Sequence, residues 1–253
     1  MLRRDKEMGA VMAWFDGILL FAAYSAVGWI YETIICSINQ RKLVKRGFLC
    51  GPYCPIYGFG ALLDILLLGR IENSLLLFAA GAAAACVLEY ITSWLLEALF
   101  HARWWDYSHM RFNLHGRICL LGAGVFGLFA VVLVKFLHPV CREATVGIDA
   151  SVRIWISVLY AAVFLADLIF SVAKLSTFNK KLRDIQRFLA NIQPEKTTGY
   201  KKLNGACQAV IERLSRFEKH LFTDFPRFTS TKYKEASGKI REHLRLLLNK
   251  DKD

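Results

Sequence analysis

The sequence has no Gly-x-x-x-x-Gly-Lys-Ser/Thr loop, so the chain has no P-loop with which to hydrolyse ATP. It has no second cysteine or histidine pair to complete a zinc site beside Cys50 and Cys54. Seven cysteines, an odd number, most of them inside or beside apolar runs, do not make a secreted disulfide framework and read as small buried thiols. No nucleophile–base pair stands out, and neither a cofactor nor catalysis is called for. Acidic residues are also scarce: 21 Asp and Glu stand against 33 Lys and Arg, a net charge of +12.

Apolar residues are abundant. The residues AVILMFWYC make up 55% of the 253, and they gather in blocks of about twenty, the length a helix needs to cross roughly 30 Å of hydrocarbon. These blocks predict an all-α, polytopic membrane bundle. Five spans are read, over residues 13–35, 52–68, 75–100, 118–137 and 154–175, with a sixth crossing left open. The second is the shortest and opens on Gly51, Pro52 and Pro55, so a bent or re-entrant start is expected there. The first apolar run carries Trp14, Asp16, Tyr24, Trp29 and Glu32, which a signal peptide core would not, so this helix is expected to stay in the mature chain.

Charge sets the orientation. Lys174 to Asp253 hold 19 Lys and Arg against 9 Asp and Glu, and Arg41, Lys42, Lys45, Arg46, Arg103, Arg111 and Arg117 follow the first and third spans. The positive-inside rule puts these loops and the tail in the cytoplasm, facing anionic lipid headgroups. The chain divides into a transmembrane domain, 1–176, and a basic helical tail, 177–253. In the tail, Ile185, Phe188, Leu189 and Ile192, then Cys207, Val210, Ile211, Leu214, Phe217 and Leu221, then Ile240, Leu244, Leu247 and Leu248 form three amphipathic stripes. A small bundle or membrane-lying arm is favoured over a docking face for a partner. Interspersed acids and the lack of a recognition module argue against nucleic acid. The small residues from Gly81 to Ala85 suit close helix packing.

Ionisable residues within spans need partners or water. Tyr24, Gly28 and Glu32 recur every four residues on one side of the first helix, and Glu89 and Glu97 lie eight apart on the third. With this topology Glu32, Arg46, Glu89, Glu97, Asp106 and Arg117 meet at the inner leaflet, where guanidinium groups can hold carboxylates. Trp105, Tyr107 and Asn113 add rings and hydrogen bonds. The expected ligand site is therefore Glu32, Arg46, Glu89, Trp105, Asp106, Tyr107, Asn113 and Arg117, with structural ion pairs weighed evenly against function for the acids. Asp167 is the better of two further acids to join it; Asp64 lies toward the outer end of its span.

Tyr24 to Glu32 (YSAVGWIYE), Arg46 to Leu49 (RGFL), Gly51 to Gly58 (GPYCPIYG), Trp105 to Ser108 (WDYS), Phe112-Asn113 and Gly116 to Leu120 (GRICL) occur in this order. Over residues 14–175 the chain thus resembles the bacterial ABC-transporter type IV family, the CmpB-like permeases. It departs from the family pattern after Cys119, where Leu121-Gly122-Ala123-Gly124 stands in place of an expected Ser and Trp. The resemblance implies a permease of the bacterial inner membrane working with a separate ATPase subunit. The leading expectation is a non-enzymatic protein binding or passing a small polar or amphiphilic solute, with membrane lipids and a second copy of itself as further partners. A membrane enzyme acting on lipid or isoprenoid substrates, and a scaffold acting through the tail, are the alternatives.

Overall fold

The computed structural model describes residues 2–190 and, further on, residues 225, 228–233, 235, 237, 238 and 240–242. Helices dominate: α1 (Leu2–Gln40), α2 (Pro55–Leu68), α3 (Ser74–Phe100), α4 (Leu120–Val132), α5 (His138–Val146) and α6 (Ala150–Ala190) follow in order. A π-helical turn, Leu133–Leu137, joins α4 to α5. Short β1 (Ala102–Arg103) pairs antiparallel with β4 (Thr229–Ser230), and β2 (Asn113–Leu114) with β3 (Ile118–Cys119).

Four stretches are long and apolar enough to cross a membrane: Val11–Gln40, Ser74–Phe100, Leu120–Val146 and Ala150–Asp184. The all-α helical bundle is as the sequence predicts. Over the expected second span, 52–68, stands the shorter apolar helix α2, with 14 residues. At 1.5 Å per residue it is about 21 Å long, short of the roughly 30 Å of hydrocarbon. Its start is delayed because Pro52 and Gly51 shape a turn. Pro55 then takes the first helical position, where a missing N–H costs nothing.

Two compact units make up the chain: Met1–Thr92 with Tyr107–Ile169, and Ser93–Asp106 with Phe170–Asp253. In the first, large apolar side chains such as Trp14, Leu66, Leu75, Leu121, Phe136 and Trp155 point outward, as lipid-facing residues do. Inside, Tyr24, Ala61 and Leu133 pack with Leu20, Leu62, Ile65, Leu137 and Cys141 and join α1, α2 and the helix around the π turn.

Glycines bring the helices together. Gly81 of α3 abuts Ala130 of α4, and Gly127 of α4 lies under the Phe78 carbonyl, 2.8 Å from where a Cβ would sit. The small face of α3 therefore packs within the chain. Gly28 of α1 abuts the Tyr57 ring of α2, and Gly58 abuts Phe21 and Ser25.

The π turn has a cause in Pro139, which lacks an N–H and whose ring would strike the carbonyl four residues earlier, at Lys135. Widening the turn there relieves the clash. The helix goes on with His138 directed at α1, where its Nδ1 lies 2.8 Å from the Tyr24 hydroxyl. Nearer the start of α6, Arg153 donates to Asp16 of α1 at 2.7 Å and Ser157 to the Phe15 carbonyl at 3.0 Å.

The second unit is built on the ends of α3 and α6. Trp104, Phe178 and Phe228 pack together, with Trp104–Phe228 centroids 5.6 Å apart, and Leu175, Leu182 and Ile240 are buried with them. His101, at φ 51°, turns its carbonyl to accept from Thr231 N at 2.8 Å. The expected tail stripes fall outside the described side chains, apart from Ile240; the backbone of α6 runs on to Ala190.

Adding a side chain at the α3–α4 contact should destabilise the bundle. Gly81→Leu and Gly127→Leu are each expected to cost about 1–3 kcal/mol or more through overpacking. Gly124→Leu, with open space around it, should be near neutral. Thermal loss of the monodisperse detergent-solubilised species checks the ranking.

Candidate functional site

Three local devices build the site in the first unit. One folds the loop after α1 back onto that helix. Trp29 Nε1 donates to the Arg46 carbonyl at 2.6 Å, Val44 N to Ser37 Oγ at 3.0 Å, and Cys54 N to the Ser25 carbonyl at 2.9 Å. Gly47 adopts φ 107°, a conformation that disfavours any side chain. Arg46 is thereby returned to α1, and its Nε donates to Glu32 Oε2 at 3.0 Å. Tyr57 of α2 donates its hydroxyl to Glu32 Oε1 at 3.1 Å. Both carboxylate oxygens of Glu32 are thus engaged, one by charge and one by a phenol.

The second device is a carboxylate clamp. Asp167 of α6 accepts from Cys50 N at 3.0 Å, from Gly51 N at 2.8 Å and from the Tyr53 hydroxyl at 2.6 Å. Lys45 Nζ donates to the Cys50 carbonyl at 2.7 Å. Burial, and then the hydrogen bond to Asp167, push the Tyr53 hydroxyl above its ordinary range, so it stays a donor at every physiological pH. Burial, with Glu32 adding and Arg46 opposing, pushes the Cys54 thiol up to about 12. A thiol so raised is no nucleophile at neutral pH.

The third device presents Tyr107. Its backbone N–H donates to the Gly116 carbonyl at 2.8 Å. The Asn113 amide ties the same loop, donating to the Met110 carbonyl at 2.7 Å and to the Ser108 carbonyl at 3.3 Å while accepting from Gly116 N at 3.0 Å. Phe112, His115 and Gly116 take positive φ to close the turn. The Tyr107 hydroxyl donates to Glu89 of α3, and burial followed by that carboxylate raises its pKa. Glu89 is buried, and it lies near enough to Glu32 for the two charges to repel.

Glu32, Arg46, Glu89 and Tyr107 are therefore brought together. Arg117 is buried, with its guanidinium 5.5 Å from the Tyr90 ring centroid, and Asn113 shapes the loop that carries Tyr107. Trp105 and Asp106 belong to the second unit, as does Glu97, which pairs there with Arg103 at 3.0 Å. Tyr57 is a member the sequence reading missed. It lies 25 residues from Glu32, and no helical periodicity links them. Asp167 serves as a clamp on the 50–53 turn, a role visible only once backbone donors are located.

Around the carboxylates stands a group of rings: Tyr31–Phe129 centroids are 4.8 Å apart, Tyr57–Phe126 6.1 Å and Tyr31–Tyr57 6.3 Å. Among the described residues no group of three or more His, Cys, Asp or Glu is placed to hold a metal ion.

Four long apolar helices, with polar side chains paired among them, define the chain as a membrane protein. More narrowly, the chain belongs to the family described as Putative ABC-transporter type IV, whose model matches residues 19–172. No curated protein and no solved structure matches the chain.

Removing the clamp charge should free the 50–53 turn. In Asp167→Asn, two backbone donors lose their ionic acceptor, at about 1.5–3 kcal/mol per charged hydrogen bond. Labelling of the buried Cys54 by a thiol reagent, in a Cys50→Ser background, is expected to speed up by roughly tenfold or more on that basis. An unchanged rate would show that Asp167 does not hold the turn.

Proposed function

We propose that this protein is a non-enzymatic permease component of the bacterial inner membrane that binds a small polar or amphiphilic solute at Glu32, Glu89, Arg46, Tyr57 and Tyr107. The family to which the chain belongs supports a transporter role. The observation that carries the site is that Glu32 of α1 is held by Arg46 and Tyr57 while Glu89 of α3 is buried with the Tyr107 hydroxyl as its donor, both within an apolar bundle. Buried acids are costly in such a place, and their retention suits a site that meets a polar group. Arg117 and Asn113 shape the rim of this site. Because the chain has no P-loop, a separate ATPase subunit supplies the energy.

The loops carrying Arg41, Lys42, Lys45, Arg46 and Arg111, together with the basic tail, face the cytoplasm in this reading. A scaffold acting through a freely displayed tail is less favoured, because Thr229–Ser230 pairs with Ala102–Arg103 of the same chain.

Orientation can be checked in a cysteine-free background. Leu43→Cys and His109→Cys should both react with an impermeant thiol reagent in inside-out vesicles and be protected in right-side-out ones. Reaction from opposite faces would remove the site. Binding is checked in nanodiscs with two dansyl-labelled amphiphiles, one cationic and one anionic. At least one should bind, and Glu32→Ala should weaken it about tenfold, equivalent to about 1.4 kcal/mol.

A further inference from the structure

We propose that the loops 41–45 and 109–115 form an anchoring surface for acidic phospholipid, with Leu43 and Phe112 entering the headgroup layer and Arg41, Lys42 and Arg111 taking its phosphates. The surface is separate from the solute site and needs only that the long apolar helices span a bilayer.

Helix contacts put the two loops at one level. Helix α1 runs antiparallel to α4 and α5: the Tyr31 and Phe129 ring centroids are 4.8 Å apart, and seven residues back along α1 Tyr24 meets His138. From the Tyr31–Phe129 contact, the end of α1 at Gln40 and the start of α4 at Leu120 are each nine residues away, about 13.5 Å along a helix. That level fits a membrane surface. Near the opposite end of α1, Trp14 faces outward beside the Asp16–Arg153 pair, as does Trp155 of α6, and indoles favour the interface. From Trp14 to Ser37 is about 35 Å, between the roughly 30 Å of hydrocarbon and the roughly 40–45 Å of a bilayer with its headgroups.

Each loop is fixed so that one apolar side chain stands out at this level. After α1 the chain folds back, Lys42 N donating to the Ser37 carbonyl at 3.3 Å and Val44 N to Ser37 Oγ at 3.0 Å. Val44 is fully buried, yet its neighbour Leu43 is 91% exposed. Phe112 is 80% exposed and holds φ 52°, a conformation that bulky side chains rarely adopt. Its carbonyl accepts from Leu120 N at 3.1 Å, which sets it beside the first residue of a span. Both side chains extend the outward apolar surface of the helices: Ile34 and Ile38 lead to Leu43, and Leu120 and Leu121 follow Phe112.

Charge decides which lipid. Arg41 and Lys42 precede Leu43, Arg111 precedes Phe112, and all three cations are exposed. Among the described residues none of the three is ion-paired with a carboxylate. An apolar side chain already held in place enters the headgroup layer at little ordering cost. Each cation beside an acidic leaflet favours it about fivefold. A protein partner would have to displace lipid to reach this depth.

The test places bimane at Leu43→Cys or Phe112→Cys of the full chain, cysteine-free elsewhere, in nanodiscs. A small, constant share of the phosphatidylcholine carries a nitroxide, either on the headgroup or at mid-chain. The headgroup nitroxide should quench both labels more strongly than the mid-chain one. Exchanging half of the plain phosphatidylcholine for phosphatidylglycerol should cut that quenching about twofold or more, because acidic lipid takes the places beside the cations. Combining Arg41→Gln, Lys42→Gln and Arg111→Gln, or adding high salt to the chain with its cations intact, should abolish this effect. Labels left unquenched, as in water or under a bound protein, would overturn the proposal. So would stronger quenching from mid-chain, or quenching indifferent to phosphatidylglycerol. Both leaflets of a nanodisc hold the same lipids, so the result is independent of orientation, and the dansyl binding experiment can fail while this one succeeds. Water enters the headgroup layer, so an impermeant reagent still reaches position 43 from that side.

Discussion

The structure depends on the cost of holding a carboxylate away from water. Glu32 can sit half-buried in the bundle because Arg46 and Tyr57 reach it, and Arg46 can reach it because the loop after α1 folds back under the hold of Trp29 and turns at Gly47, just beyond Arg46. Removing one member of such a pair leaves the other charge without its partner in a largely apolar setting, where compensation by water is scarce. The same requirement fixes the course of a fourteen-residue stretch and the start of α2.

The Asp167 clamp extends this logic from side chains to backbone. A turn containing Gly51 and Pro52 leaves amides with no helix to satisfy them, and hydrocarbon offers no water in exchange. One acid on α6 takes two of those amides and a phenol. The turn is thus fixed to a helix more than a hundred residues away in sequence, and it need not rely on local regularity.

Much of this was legible in the sequence, for identifiable reasons. Long apolar runs announce helices by composition, so α1, α3, the α4–α5 helix and α6 were foreseen. The meeting of Glu32 with Arg46 followed from a short loop, and that of Glu89 with Tyr107 from loops leaving at one end. Other features were not legible. That α2 begins only at Pro55 depends on how the turn at Gly51 and Pro52 is held, a choice that apolar character alone does not make. The boundary between the two compact units, which falls between Asp106 and Tyr107, has no mark in the sequence there. Tyr57 was hidden because its partner is set by the packing of its ring on Gly28, a contact that no repeat betrays.

The short α2 has an effect beyond the protein. Its polar end, Arg70 to Asn73, reaches a depth about 9 Å short of a full hydrocarbon crossing, and Lys135 stretches from the π turn to cap the Glu72 carbonyl at 2.8 Å. Lipid tails beside α2 must therefore shorten, or headgroups must sag inward, to avoid leaving that end dry.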